Sequence, residues 1–429
     1  MSRADNSTGL ILASSPMFKK IFGKSNVGRA YDLPFDIKTR KFSYYNARKQ
    51  GLPTDSDYVR YIEDWAQITL IVPPRMDEYI AVNMEIQRIF QNYGSPDDIY
   101  PYSIDEGFID LTSSLNYFIP DKSLSRKDKL DLLSARIQRD IWRQTGIYST
   151  VGMSNANPLL AKLALDNEAK HTPTMRANWS YQDVEEKVWA IPKMTDFWGI
   201  GRRMEKRLHT LGIFSIRELA TSNPDQLQKA LGQAGLRLWF HANGIDESNV
   251  HRPYKAKSKG LGNSQILPRD YVKLRDIEII LREMADQVAI RLRRSGKKTT
   301  LVSIYVGFSK QEVRPSIHTQ MKVEPTNNTA ILTDYVLKLF HNKYTSGAVR
   351  SVGVNYSGFV DESFGLISLF DDVDKLEKEE RLQTAIDSIR EQFGFTSLLK
   401  ANALEEASRS LARSKLIGGH SAGGLDGLQ

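Results

Sequence analysis

The 429-residue sequence predicts an α+β fold with more than one domain, and three observations support this prediction. In residues 68–170, strand-like and helix-like segments alternate around a hairpin, which is typical of one antiparallel sheet with helices on one face. Residues 260–361 show a second strand–helix–strand–helix–strand order. Between the two parts, the lysine-rich residues 255–259 have the composition of a linker.

Individual elements follow from the spacing of apolar residues and from the positions of Gly and Pro. We predict strands at residues 8–13, 68–74, 149–153, 299–306 and 349–360, a hairpin at 99–112, and helices at 17–22, 77–93, 130–145, 157–170, 276–293, 329–341 and 375–393. Residues 412–429 are rich in Gly and Ser, and we expect them to be disordered.

Composition excludes several classes of site. The chain has no cysteine, which excludes disulfides, thiol catalysis and cysteine-ligated zinc. Its seven histidines are scattered without His-x-x-x-His spacing, which disfavours a zinc site. We find no apolar run of membrane-spanning length and no signal peptide, so we expect a cytoplasmic protein without membrane association.

Positive charge is concentrated in one segment. The formal net charge is +8, and residues 255–361 contain 18 Lys and Arg against 9 Asp and Glu. The rest of the chain therefore carries almost no net charge. Such a distribution favours a nucleic-acid-binding domain, and a basic surface that is merely solvated is the alternative.

An acidic pair interrupts the β-prone residues 102–111. Asp105 and Glu106 are adjacent, and Gly107 follows them. Adjacent strand residues point to opposite faces, so both carboxylates can reach one site only at a hairpin tip or bulge. Two carboxylates on a rigid edge suit Mg²⁺, and an exposed turn with two solvated acids is the alternative.

Two further stretches carry residues that are suited to phosphate binding. Gly199 and Gly201 lie between short helical stretches and resemble a helix-hairpin-helix turn, with Arg202, Arg203 and Lys206 directly after them. This pattern favours DNA-backbone binding over a plain turn. Residues 38–48 are basic and aromatic, which fits either a phosphate contact or an amphipathic surface helix.

Four colinear motifs resemble those of Y-family translesion DNA polymerases. They are Tyr-Asn-Ala-Arg-Lys at 45–49, Tyr-Ser-Ile-Asp-Glu-Gly-Phe-Ile-Asp at 102–110, the Ala-Lys pairs at 161–162 and 169–170, and the Gly-Ile-Gly turn at 199–201. Gly-Leu-Gly-Asn-Ser-Gln at 260–265 is similar to the first strand of that family's little-finger domain. The branch that the chain resembles is the UmuC type of Gram-positive bacteria.

The resemblance implies a right-hand polymerase with palm, fingers, thumb and little finger. We expect a palm strand at 1–13, fingers at 14–66, palm at 67–190, a helix-hairpin-helix thumb at 191–254, and a little finger at 255–361. Residues 362–429 would follow as a C-terminal tail. The implied reaction is template-directed addition of dNTPs to a primer 3′ end, often across damaged bases, in a DNA-damage response.

Roles are implied for individual residues as well. Asp105 and Glu106 would hold catalytic Mg²⁺, with two ions roughly 3.5–4 Å apart and Mn²⁺ as an alternative ion. Tyr45, Arg48 and Lys170 would bind the incoming triphosphate. Lys162 is expected to be structural or a minor phosphate contact, and Asp110 a structural hydrogen-bond acceptor.

Primer–template DNA is the implied partner, bound by its backbone with the thumb on the minor-groove side and the little finger in the major groove. The expected DNA contacts are Gly199, Gly201, Arg202, Arg203, Lys206, Lys257, Lys259, Ser264, Arg291, Arg293, Arg294, Lys297 and Lys298. Leu366, Leu369 and Phe370 resemble a peptide that docks on the sliding clamp, although Leu366 replaces the usual Gln. A linker strand is the alternative for this peptide.

One departure from the family pattern concerns the N-terminus. The family opens with a strand that carries a third metal-binding Asp and an aromatic residue that excludes ribonucleotides, and Met1 aligns after that strand. We therefore expect an N-terminally shortened chain. Two hypotheses follow: a translesion DNA polymerase, or a catalytically defective protein that still binds DNA and the clamp.

Overall fold

The computed structural model describes residues 10–23, 28–252, 259–363, 373–417 and 420–421. Within these ranges the chain forms two compact units, one made of residues 1–78 and 256–429 and the other of residues 79–255. The mixed helix and sheet content confirms the α+β class. None of the described helices combines the length and apolar character that crossing a membrane requires.

The N-terminal part of the first unit is a small helical cluster. Its helices are α1 (Pro16–Phe22), α2 (Tyr44–Lys49) and α3 (Ser56–Ile68). Side chains cap all three N-termini, and Ser43 does so for α2 by accepting from the Asn46 amide. Phe22, Leu33, Phe35 and Ile62 form the centre of the apolar core.

Two predicted strands in this region are not found among the described residues. Of the predicted strand 8–13, Leu10 makes a single β-bridge with Arg29 and residues 11–13 are irregular, while residues 1–9 lie outside the described part. In the predicted strand 68–74, α3 continues through Ile68 and the following residues are irregular. Ile68 and Leu70 are exposed while Ile71 packs against the apolar core, so burial gives a strand little support there.

The C-terminal part of the first unit is one sheet covered by two helices. Its main elements are β5 (Gly260–Tyr271), α12 (Leu274–Arg294), β6 (Lys297–Phe308), β7 (Ile317–Thr326), α13 (Thr329–Lys343) and β8 (Val349–Asp361). The strand order is β5-β8-β6-β7, and all pairs are antiparallel. Strand β7 is an addition to the predicted order, although its alternating pattern was visible in the sequence.

Residues 373–417 pack against this domain. They contain α14 (Val373–Phe393), α15 (Ser410–Arg413) and β9 (Leu416–Ile417), and β9 pairs with β10 (His420–Ser421). Arg413 and Ser414 are buried, so the prediction of disorder from residue 412 onwards is wrong for these positions. The reason is that Arg413 pairs with Glu283 of α12, a contact that local composition does not reveal.

The second unit contains a hairpin, a parallel strand pair and eight helices among its described residues. They are α4 (Met76–Phe90, which begins in the first unit), β1 (Ile99–Pro101), β2 (Gly107–Ile109), α5 (Leu115–Phe118), α6 (Arg126–Thr145), β3 (Val151–Met153), α7 (Pro158–Asn167), β4 (Arg176–Asn178), α8 (Arg202–Thr210), α9 (Ile216–Thr221), α10 (Pro224–Leu231) and α11 (Gln233–Ala242).

We expected one antiparallel sheet here, and the described strands instead form two separate pairs. β1 and β2 are antiparallel, whereas β3 and β4 are parallel. The strand predicted at 68–74 is not formed, so it cannot join these pairs into a single sheet. One apolar core runs continuously from Leu159 of α7 to Ala242 of α11.

Candidate active site and nucleic-acid interface

The acidic pair lies at the tip of the β1–β2 hairpin, as predicted. The amides of Tyr102 and Ser103 both donate to the carbonyl of Glu106, at 3.1 and 3.0 Å, and these bonds close the tip. The Ser103 hydroxyl donates to Asp105 Oδ1 at 2.7 Å. Asp105 is exposed, and Glu106 is half-buried. The tip therefore presents one solvated and one sheltered carboxylate.

Helix α7 supplies the cationic partner of the sheltered carboxylate. Its N-terminus is capped by Asn157, and its middle passes close to β3 at Gly152, where an added Cβ would lie 2.0 Å from the Ala161 carbonyl oxygen. This close approach requires glycine. It also fixes the position of the next residue, Lys162, whose Nζ lies 2.8 Å from Glu106 Oε1.

Asp166 joins Lys162 to Lys170. Its carboxylate lies 2.8 Å from Lys162 Nζ through Oδ2 and 2.7 Å from Lys170 Nζ through Oδ1. Burial alone would lower the pKa of Lys162, but its hydrogen bonds to Asp166 and Glu106 raise that pKa above the ordinary value. Burial alone would raise the pKa of Asp166, and the two lysines hold it below its ordinary value.

The two carboxylates are ligands of the type that a divalent cation binds, since Mg²⁺ prefers hard oxygen ligands. Asp105 is exposed, whereas Glu106 already has Lys162 as its counter-charge. Among the residues that the structure describes, no group of three or more His, Cys, Asp or Glu side chains is placed to hold a metal ion. Asp105 and Glu106 would thus provide two ligands, and substrate phosphates or water could supply further ones.

The predicted nucleotide-binding residues occur in both units. Tyr45 and Arg48 lie on α2 of the first unit, where Ala47 is buried and both predicted side chains are exposed, Tyr45 by 77%. Lys170 lies in the second unit, in a 3₁₀ turn directly after α7, and its side chain is 48% exposed. All three side chains are therefore accessible to a solvent-borne ligand.

The predicted helix-hairpin-helix turn precedes α8. Gly199 adopts φ 96°, which side chains rarely tolerate, and Gly201 is the N-terminal cap residue of α8. Arg202, Arg203 and Lys206 are all exposed on α8. The Trp198 indole N–H donates to the Tyr102 hydroxyl at 3.2 Å, which links this turn to the acidic hairpin.

Basic residues of the C-terminal domain differ in their surroundings. Arg293 pairs with Asp387 at 2.6 Å and also donates to the Asn327 carbonyl, so its guanidinium is already engaged and we do not retain it as a DNA contact. Lys297 pairs with Asp361, and Arg291 donates to the Gly262 carbonyl at 2.7 Å. Three other predicted DNA contacts are exposed, namely Lys259, Ser264 and Arg294, and Lys298 is partly exposed. The predicted DNA contact Lys257 and the predicted clamp-binding residues Leu366, Leu369 and Phe370 lie outside the described residues.

The open face of the C-terminal sheet is small and polar. Apolar side chains of β6 and β8 point to the helices, while the alternate residues point away from them. Ser264, Gly353 and Tyr305 form one row across the strands, and Gly262, Asn355 and Ser303 form the next. Of these residues only Ser264 was predicted as a DNA contact, although the alternating Ser, Asn and Gly were visible in the sequence.

Comparison with known proteins gives a consistent result along the chain. Residues 42–166 match the impB/mucB/samB family, residues 181–213 match the IMS family HHH motif, and residues 258–369 match the impB/mucB/samB family C-terminal domain. The "Putative UV-damage repair protein UvrX" of Bacillus subtilis is 32% identical, over 98% of this chain and 90% of that protein. "DNA polymerase IV 2" of Halalkalibacterium halodurans is 32% identical over 82% of each chain.

A solved structure supports the fold. A Y-family DNA polymerase chimera superposes with a TM-score of 0.54 and 20% identity, covering 75% of this chain and 87% of that one. At this identity the likeness concerns the arrangement of the backbone. The matched HHH motif at 181–213 includes the Gly199–Gly201 turn, and the matched C-terminal domain includes the four-stranded sheet.

Proposed function

This chain belongs to the impB/mucB/samB family of Y-family DNA polymerases, and we propose from this premise that it carries out translesion DNA synthesis during DNA repair. The family makes it a DNA-directed DNA polymerase, whose substrates are a primer–template and dNTPs. The observation that carries the proposal is the acidic hairpin beside the lysine-bearing helix α7.

In this proposal the hairpin is the reaction centre. Asp105 and Glu106 would hold Mg²⁺ or Mn²⁺, as two-metal chemistry in this family requires, and the bound ions would stabilise the attacking and leaving oxygens of phosphoryl transfer. Ser103 orients Asp105 through its 2.7 Å hydrogen bond. Lys162 keeps Glu106 in place through its 2.8 Å contact.

Substrate binding is assigned to the exposed basic residues. Tyr45, Arg48 and Lys170 would bind the triphosphate by stacking and by charge-assisted hydrogen bonds. The α8 cations after the Gly199–Gly201 turn and the open face of the C-terminal sheet would hold the DNA backbone without reading sequence. We assign the fingers, palm, thumb and little finger as predicted, and docking of residues 366–370 on a sliding clamp stays part of the proposal.

Primer extension with Mg²⁺ on undamaged and abasic templates tests the proposal. Replacing the acids by Asp105→Asn plus Glu106→Gln should reduce extension roughly thousand-fold, because several kcal/mol of charge stabilisation are lost. The affinity for primer–template should remain unchanged. Asp97→Asn is the matched control, since Asp97 is an exposed acid that precedes the same hairpin.

If this chain binds a primer–template but does not extend it, the alternative of a catalytically defective DNA- and clamp-binding protein replaces our proposal. Loss of DNA affinity together with loss of extension in the double variant would assign the two acids a structural role.

A further inference from the structure

Asp166 is the centre of a charge cluster on one side of α7. Each of its carboxylate oxygens contacts a different lysine, Lys162 at 2.8 Å and Lys170 at 2.7 Å. The three residues are four positions apart, so they would lie along one face of a continuous helix. Helix α7 ends at Asn167, however, and Lys170 belongs to the following turn. Asp166 therefore also ties that turn to the helix.

The two lysines differ in their surroundings. Lys162 contacts Glu106 at 2.8 Å, and its side chain is only 11% exposed. Lys170 is 48% exposed and has no second carboxylate among its ion pairs in the described residues. A lysine side chain is flexible, and an ammonium group is held at a fixed point only when its hydrogen-bond partners are fixed. Asp166 provides that fixed partner for both.

We infer that Asp166 is a positioning residue for nucleotide addition, which holds the Lys170 ammonium ready for the incoming triphosphate and the Lys162 ammonium against Glu106. This inference rests on the proposed function, and it adds a residue that neither the motifs nor the family comparison had assigned. Asp166 acts through the two lysines and makes no contact with substrate.

The sign of the effect follows from the charges. A carboxylate near a triphosphate would repel it, but Lys170 offsets the charge of Asp166, as Lys162 offsets that of Glu106. Without that carboxylate, the two ammonium groups would repel each other and Lys170 would lose its only ion-pair partner among the described residues. Both carboxylate oxygens of Asp166 are occupied by lysines, so its removal should disorder the Lys170 ammonium. We expect this loss of order to weaken triphosphate binding more than the removal of the repelling charge strengthens it.

Asp166→Asn tests the inference. The measurement is the affinity of the protein–primer–template complex for an α,β-imido dNTP analogue, which binds without being incorporated, together with steady-state kcat and KM. We expect the analogue affinity to fall about threefold to tenfold, as for the net loss of one typical intramolecular hydrogen bond. KM should rise more than kcat falls. Asp166→Glu, which keeps the charge, should restore part of the affinity.

A second substitution distinguishes this inference from the proposed function. Lys170→Ala should weaken analogue binding, and Asp166→Asn should add little in that background because both changes remove the same ordered cation. Unchanged or tighter binding by Asp166→Asn, while Lys170→Ala weakens binding, would overturn the inference alone. If Lys170→Ala has no effect on analogue binding, the triphosphate assignment of Lys170 and the inference both fail.

The matched control is Glu168→Gln. Glu168 lies two residues after Asp166 and pairs with Lys187 at 2.8 Å, so the substitution breaks a carboxylate–lysine pair outside the cluster. We expect it to lower Tm without a change in analogue affinity. An equal loss of analogue affinity in Asp166→Asn and Glu168→Gln would show that Asp166 is only structural.

Discussion

At the scale of single residues, Asp110 shows how one carboxylate can secure the base of the acidic hairpin. Its Oδ1 accepts from the Thr112 amide at 2.8 Å, and its Oδ2 lies 3.1 Å from His251 Nε2. The other ring nitrogen of His251 lies 3.1 Å from the Asp97 carbonyl. These contacts agree with the structural role that the sequence predicted for Asp110, and they attach residue 251 to the hairpin.

We expect Asp110→Asn to destabilise the protein in a pH-dependent way. Burial would raise the pKa of Asp110, but hydrogen bonds from Thr112 and His251 hold it below its ordinary value. The stabilisation is therefore complete above the unfolded pKa and is lost as the pH falls through the folded pKa. The variant should lose about 1 kcal/mol of unfolding free energy at pH 7 and progressively less below about pH 4.

Thermal unfolding of both proteins between pH 3 and pH 7 measures this difference. Asp97→Asn serves as the control, because only the backbone carbonyl of Asp97 contacts His251. A deficit of the same size at pH 3 and pH 7 would contradict the ionised hydrogen-bond acceptor that we describe.

At the scale of elements, the C-terminal segment 373–417 is held to α12 by ion pairs. Arg413 lies 3.4 Å from Glu283, and Arg390 lies 3.3 Å from Asp286. Glu283 and Asp286 are buried on α12, where an unpaired charge would be costly. The segment thus neutralises acids that the domain cannot expose to water, and it is part of the folded domain.

We predict that Glu283→Gln lowers the unfolding free energy by about 3–5 kcal/mol, since it leaves the buried Arg413 guanidinium without its counter-charge. Glu377→Gln is the matched control, because Glu377 pairs with Arg381 on the surface of α14, where the side chains are 57% and 80% exposed. That substitution should change the free energy by less than about 0.5 kcal/mol. Chemical denaturation gives both values, and equal effects would refute the anchoring role of Glu283.

Elements with strong local signals were predictable from the sequence. The helices α4, α6 and α12 and the hairpin lie within a few residues of their predicted positions, because their apolar spacing is a local signal. The strand predicted at 68–74 was wrong, since a strand also needs a neighbour and a core. The folding of residues 373–417 onto α12 could not be predicted, because its ion pairs join residues that are far apart in the chain.

At the scale of the whole molecule, charge is distributed for binding a polyanion. The excess of Lys and Arg is confined to residues 255–361, and exposed cations also follow the Gly199–Gly201 turn. Lysines and arginines that neutralise DNA phosphates release the counterions bound there, so we expect the DNA affinity to fall steeply with salt. The affinity should vary little with base sequence, because phosphates are the same in every sequence.

Neighbouring arginines on α12 should differ in this assay. Arg294→Gln should reduce the slope of log affinity against log salt by about one, because one phosphate contact is lost. Arg293→Gln should leave the slope unchanged and lower Tm instead, since Arg293 pairs with Asp387. Fluorescence anisotropy with a labelled primer–template between 50 and about 300 mM salt measures both slopes. A reduced slope for Arg293→Gln would contradict the structural role that we give it.

The candidate site was predictable only in part. The motifs predicted Asp105, Glu106 and Lys170 as site residues, because acids in a β-prone stretch and an Ala-Lys pair stand out locally. The network that connects them was not predictable, since Lys162 and Glu106 are 56 positions apart and meet only through the packing of α7 against β3. Asp166 resembles an ordinary surface acid until that contact is known.

The continuous core of the second unit has a mechanical consequence. Leu160 and Leu163 of α7 share one apolar cluster with Ile200 of the Gly-rich turn and Leu208 of α8. If DNA binds at that turn, as we propose, any force on the turn acts on the same packed core that holds the helix of Lys162.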